Sequence, residues 1–168
     1  MAGRSGSATW AGDLRTGAGE VTVGEHAWTA PYSGSSRFHG VLPGFEEGQG
    51  TNPEELLAAA HAACFSMALS FALTEAGSPP PRLLRTQARV HLRFLEGAPR
   101  IQQIDLETEG DVPGLGEASF RERAEEAKRG CVISRALGGV EQINLVAKLA
   151  AGAGEGSRGG TGAEGGNA

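Results

Sequence analysis

The sequence predicts an α+β fold in which helices lie to one side of antiparallel sheet. Three observations carry this. A long apolar helix is signalled between Asn52 and Ala76. Strict apolar/polar alternation follows it, and short, glycine-punctuated segments rich in Trp, Thr and Val precede it.

Taken in order, "SATWAGDL", "GEVTV" and "HAWTAPYS" read as short strands, a meander or pair of hairpins. A loop containing Gly, Ser and Glu is expected from about 33 to 50. The helix then opens with Asn52 as N-cap, Pro53 at its first position and Glu55 completing a capping-box pattern. Glu54 and Glu55 also suit the positive end of the helix dipole. "GSPPP" stops the helix near Ala76. Its middle is apolar nearly all round, which predicts a central, buried helix. In "TQARVHLRFLEG", Ala88, Val90, Leu92 and Phe94 face one way and Gln87, Arg89, His91 and Arg93 the other, so this is a half-buried strand. "RIQQIDLETEG" repeats the pattern through Ile104 and Leu106, and a hairpin across "EGAPR" joins the two. "GEASFRERAEEAKRG" is a second helix with Gly130 at its stop. "CVISRAL" opens a short helical segment at Cys131, and "EQINLVAKL" is the last strand, with Ile143, Leu145, Ala147 and Leu149 inward.

At 168 residues the chain is long enough for one domain with a real core. Residues 1–150 carry that domain. The tail from Ala151 to Ala168, "AGAGEGSRGGTGAEGGNA", has too little apolar surface to offset its ordering entropy and is expected to be disordered. A net charge of −5 argues against nucleic acid or an anionic membrane as partner, and 5% aromatic residues leave no base-stacking platform. No uninterrupted apolar run reaches about 18 residues, so no membrane helix is expected, and no apolar signal segment opens the chain. These readings place the protein in the cytoplasm. Two cysteines are too few for a disulfide scaffold and point to catalysis, redox sensing or plain burial.

Cys64 sits among alanines in the helix, where a free cysteine is ordinarily a small buried hydrophobe. Cys131 follows Lys128, Arg129 and Gly130 at a helical start, a setting that favours a thiolate, although an incidental half-exposed cysteine fits as well. The two are 67 residues apart, neither belongs to a CxxC pair and no histidine cluster has metal spacing, so no metal site is read. His61 is one helical turn before Cys64 and is either a hydrogen-bonded core histidine or half of a Cys–His pair. His26, His39 and His91 read as ordinary strand or loop residues. Glu54 and Glu55 read as helix-capping charges, and Arg37 stands alone in "GSSRFHG".

Together these segments resemble a known family. "GTNPEELLAAAHAACFSMALS", Gly50 to Ser70, is similar to the signature of the OsmC/Ohr family, the osmotically inducible protein C and organic hydroperoxide resistance proteins. "SSRFHG" resembles the family's arginine loop, and "VPGL" with the following helix and "AKRGCVIS" resembles its second-cysteine segment. The likeness spans about residues 8–149, and "HAACFSMALS" points to the OsmC branch. One departure is Cys131-Val132-Ile133-Ser134, where OsmC proteins tend to read Cys-Pro-Val-Ser.

The resemblance implies a thiol peroxidase that reduces organic hydroperoxides and, more weakly, hydrogen peroxide. Carried over by position, it implies Cys64 as the peroxidatic thiol, Cys131 as the resolving thiol, Arg37 as the activator of the thiol and Glu54 as the carboxylate orienting the arginine. It further implies an intertwined homodimer with sites at the interface, a lipoyl-type dithiol reductant, and no metal or bound cofactor. The chemistry is coherent. A thiol buried among alanines has a raised pKa, which a guanidinium corrects, and a buried arginine needs a carboxylate. Spacing adds an independent constraint. Glu54 and Cys64 are ten residues apart, about 15 Å along one helix, so they cannot share a site within one straight helix. An antiparallel pairing of two copies would bring each Glu54 towards the other copy's Cys64. The rival reading is a hydroperoxide-sensing or ligand-binding protein on the same fold, without turnover.

Overall fold

The computed structural model describes residues 3–25 and 27–151. The expected glycine-rich tail from 152 onward and His26 lie outside the described residues.

The elements run β1 (Gly6–Ala8), β2 (Ala18–Val23), β3 (Trp28–Ser33), α1 (Gly34–Phe38), α2 (Pro53–Glu75), β4 (Leu83–Leu95), β5 (Ala98–Asp111), α3 (Glu117–Gly130), α4 (Val132–Ala136) and β6 (Gln142–Leu149). The first three strands form an antiparallel meander and the last three a second sheet in the order β4-β5-β6. This is the expected α+β plan with one correction: β6 runs parallel to β5, not antiparallel. The helical stretch between the two strands is a crossover, which returns the chain to the end of the sheet where β5 began.

Local chemistry sets the ends of α2. Asn52 Oδ1 accepts the Glu55 N–H at 2.9 Å, and Pro53 occupies the first turn, where its missing donor is harmless. The reciprocal half of the expected capping box is replaced, because the Glu55 carboxylate accepts from Thr51 Oγ1 at 3.0 Å instead. The helix ends in a Schellman turn before the prolines are reached. Gly77 takes φ +70°, its N–H donates to Thr74 O at 3.0 Å, and Ser78 N–H donates to Leu73 O at 3.0 Å.

The prediction that α2 is buried all round is corrected. Within one chain a single stripe, His61, Phe65, Leu69 and Leu73, is buried at i, i+4 spacing against β4 and α3. On the other side Met67 is 75% and Phe71 67% exposed. The helix carries more apolar surface than one chain covers. The expectation that no segment is apolar enough to cross a membrane is corrected too. By length and composition alone α2 is apolar enough to span a bilayer, because lone Ser and His residues among alanines hardly lower its average. Its buried stripe makes it the core helix of this domain.

β4 and β5 pair from Leu83↔Asp111 to Leu95↔Ala98 around a two-residue turn, with Glu96 at φ 51° and Gly97 at φ 83°. Opposite His91 and Leu92 the pairing skips Gln102, a bulge on β5. Phe94, expected inward, lies next to the hairpin turn and is 47% exposed. The core joins Phe65, Leu69 and Leu73 of α2 to Leu106 of β5, Phe120, Ala124 and Ala127 of α3, and Cys131. Gly110 of β5 lets the Phe120 ring approach, since a Cβ there would sit 2.5 Å from the ring. Gly110→Ala is expected to destabilise the domain by about 1–3 kcal/mol through overpacking, read as a lower urea midpoint at unchanged m-value.

Candidate active site

The segment from Ser33 to Gly50, expected as loop, contains the short helix α1. Ser33 Oγ accepts the Ser36 N–H at 3.0 Å and Ser36 Oγ accepts the Ser33 N–H at 2.9 Å, a reciprocal cap built from two serines. The same Ser36 hydroxyl donates to Thr51 O at 2.7 Å, and Asn52 Nδ2 donates to Ser36 O at 3.1 Å. These bonds stitch α1 to the start of α2 and so bring Arg37 to Glu54. The guanidinium grips the carboxylate with Nη2–Oε1 at 2.8 Å and Nε 3.2 Å from both oxygens, while its carbon lies 5.0 Å from the centre of the Phe38 ring. The Glu54 side chain is only 11% exposed, so the arginine is its principal compensation.

Cys64 lies along α2 from this pair, in a different cavity. That cavity, about 630 Å³, is lined by Cys64, Met67, Ala68, Phe71 and Ala72 of α2 and by Cys131 and Val132. Its walls are mainly apolar, and both thiols face it. Cys131 terminates α3 and precedes α4, an arrangement that places it against the middle of α2. Val132 occupies the first position of α4, where proline is common, and the short helix forms without it. The Arg37–Glu54 pair borders a separate cavity of about 400 Å³ that reaches Ala58, Val90 and His91. Thus the two thiols come together and the ion pair comes together, but one chain does not join the two pairs. A further cavity of about 630 Å³ borders Arg85, Glu107, Glu109 and Lys148 and contains no thiol.

Burial opposes charge on the Cys131 sulfur, which is 1% exposed. The Ser134 N–H and hydroxyl, the Cys64 thiol and the Ile133 N–H outweigh it and hold the thiol below its ordinary range. Cys131 precedes α4 without making a side-chain cap hydrogen bond. The expected cationic help is corrected: neither Lys128 nor Arg129 is among the groups that lower the Cys131 pKa, and Lys128 pairs instead with Glu125 at 3.2 Å and donates to Ile143 O at 3.4 Å.

His61 is the hydrogen-bonded core histidine of the two alternatives. It is completely buried, and its Nε2 lies 2.7 Å from Ser134 Oγ. The sequence assigned Ser134 no role beyond its place in "AKRGCVIS", because the contact that marks it is with His61, 73 residues away on α2. His91 pairs with Asp105 at 2.7 Å on the sheet, where Asn144 and Gln103 also donate to the carboxylate and hold its pKa down.

Known proteins share this architecture. A family model described as "OsmC-like protein" matches residues 46–146, a span that includes Glu54, Cys64 and Cys131 and begins after Arg37. The chain is 41% identical over 135 residues to "Peroxiredoxin OsmC" of Escherichia coli (strain K12), covering 80% of this chain and 89% of that protein. Two crystal structures align at TM-scores of 0.66 and 0.62. One is an organic hydroperoxide resistance protein from Elizabethkingia anophelis, 22% identical, covering 87% of this chain and 96% of the other. The second is the organic hydroperoxide resistance protein OhrB of Bacillus subtilis, 23% identical, covering 87% and 98%. With the family signature spanning most of the folded chain, and the same fold in these structures, this chain belongs to the OsmC-like protein family.

Proposed function

We propose that this protein is a cysteine-based peroxidase for organic hydroperoxides in which Cys64 attacks the peroxide and Cys131 resolves the product. The observation that carries this reading is the meeting of two free thiols in a mainly apolar cavity. Kinship with a protein named a peroxiredoxin supports it. The Cys64 thiolate takes one oxygen from ROOH, the O–O bond breaks, and the alkoxide leaves as ROH after taking a proton. Cys131 thiolate then attacks the sulfur of the Cys64 sulfenic acid, expelling hydroxide, which is protonated to water. A dithiol reduces the resulting disulfide and is itself oxidised. The apolar walls formed by Met67, Phe71 and Ala72 suit an alkyl or aryl hydroperoxide better than hydrogen peroxide.

The guanidinium that this chemistry needs comes, in this reading, from a second copy. Arg37 and Glu54 sit at the start of α2 and Cys64 near its middle, on a helix whose outer apolar face is uncovered. Two copies pairing these faces antiparallel would cover Met67 and Phe71 and set the partner subunit's Arg37, held by the partner's Glu54, beside Cys64. A lipoyl-type dithiol as reductant and a cytoplasmic site of action complete the proposal.

The test is steady-state hydroperoxide consumption with cumene hydroperoxide, a fatty-acid hydroperoxide and hydrogen peroxide, each with a lipoyl and a thioredoxin system. Many turnovers per chain, with the organic substrates preferred, are expected. A single equivalent consumed per chain, whatever dithiol is supplied, would favour a sensor. Phe71→Lys is expected to shift the protein towards monomer in analytical ultracentrifugation and to lower turnover with it, since a charge on the paired face must be desolvated.

A further inference from the structure

One side chain ties α1 to the start of α2. Asn52 Oδ1 accepts the Glu55 N–H at 2.9 Å, and Asn52 Nδ2 donates to Ser36 O at 3.1 Å. The partners fix which end of the amide is which, because a backbone N–H only donates and a carbonyl only accepts. Asn52 therefore does two jobs. Its oxygen caps α2, and its nitrogen bridges to the backbone of α1. Aspartate, serine and threonine cap a helix as asparagine does. A carboxylate, however, has no N–H to give, and a hydroxyl offers a single atom of shorter reach.

The bridge lies beside the ion pair. Ser36 immediately precedes Arg37, and Asn52 stands two residues before Glu54. Arg37, Asn52 and Glu54 border the same cavity. A second bond works alongside the bridge, since Ser36 Oγ donates to Thr51 O at 2.7 Å, and the Thr51 N–H is itself held by Pro31 O at 2.9 Å. The Thr51 hydroxyl is turned to Glu55 instead, at 3.0 Å. Bonds of 2.8 to 3.2 Å fix the guanidinium of Arg37 on the Glu54 carboxylate. They do not fix where the pair as a whole points, because both side chains are long and turn about several bonds. That direction is set by the two backbones from which the side chains start, and Asn52 sets the relation between those backbones.

We propose that Asn52 is a positioning residue for thiol activation: by bridging the α2 N-cap to Ser36 O, it sets the direction from which Arg37 reaches the partner subunit's Cys64. This rests on the activating role proposed for Arg37. The tolerance is narrow, since a misplacement of about 1 Å can cost on the order of a hundredfold in rate. Asn52 acts through Arg37 and not on the sulfur itself.

Asn52→Ser and Asn52→Asp both keep the cap and lose the bridge. The serine adds no charge, so an effect common to the two is not the electrostatics of the aspartate. In a Cys131→Ser background Cys64 is the single cysteine, and its alkylation by iodoacetamide at neutral pH reads thiolate reactivity without any peroxide. Both variants are expected to alkylate about tenfold more slowly than their parent, part of the loss that a misplaced activating group can cause. With Cys131 present, both should react about tenfold more slowly with one equivalent of cumene hydroperoxide, at urea midpoints close to that of the wild type. Added to Arg37→Ala, either substitution should slow alkylation no further, since the group through which Asn52 acts is gone. Parental alkylation rates in both variants would overturn the inference. So would a further loss of about tenfold on top of Arg37→Ala, which would assign Asn52 to the stability of α2 alone. A wild type that alkylates at Cys64 yet consumes no hydroperoxide would sink the proposed function, while the alkylation rates would still decide whether Asn52 acts through Arg37.

Discussion

Cys64→Ser is expected to reduce turnover of cumene hydroperoxide by on the order of a thousandfold or more, while changing stability by less than about 1 kcal/mol. The chemistry dictates the first number. A serine hydroxyl stays protonated where a thiol ionises, and oxygen is a far weaker nucleophile towards a peroxide oxygen. The structure dictates the second. Cys64 lies at a cavity wall rather than in the sealed core, so exchanging sulfur for oxygen neither opens a large void nor forces a clash. Coupled consumption of hydroperoxide and dithiol measures the activity and urea denaturation the stability. Activity within twofold of wild type in the serine variant would reject Cys64 as the peroxidatic thiol.

Arg37→Ala is expected to lower the rate of the first oxidation by about a hundredfold, the scale of losing one charged donor to a developing anion. The more informative result comes from mixing. If each site takes Cys64 from one copy and Arg37 from the other, Arg37→Ala and Cys64→Ser chains are both inactive alone. Exchanged to random pairs, half of the dimers are hybrids, and each hybrid holds one site with both native groups. About a quarter of wild-type activity should therefore return. Were the two groups supplied by one chain, no hybrid site would contain both in working form, and activity would stay at the level of the parents. The separate cavities of the two pairs within a chain motivate the first outcome.

The elements defined by neighbours in sequence were legible in advance. Asn52 and Pro53 mark the start of α2 because capping involves residues three apart. The alternation from Ala88 to Val90 marks β4 because side chains on a strand alternate by geometry alone. Where the reading failed, a distant contact or a local irregularity intervened. α1 went unread because its cap uses serine where glutamate is the stronger signal, and the exposure of Phe94 because alternation along a strand does not show where the packed core ends.

The candidate site divides along the same line. The sequence by itself determined which thiols are the candidates, where α2 begins, and that Glu54 lies too far along that helix to reach its own Cys64, since helical rise follows from residue count. Only the tertiary structure decided that Cys131, 67 residues later, returns to Cys64, and that Ser134 comes with it to meet His61. It also decided that Lys128 turns towards Glu125 and that β6 enters parallel to β5. The physical reason is that local periodicity fixes the faces of each element, whereas the partner of each face is chosen by packing among all the elements at once. In one chain that packing buries the stripe from His61 to Leu73 and leaves the stripe through Met67 and Phe71 for another surface to cover.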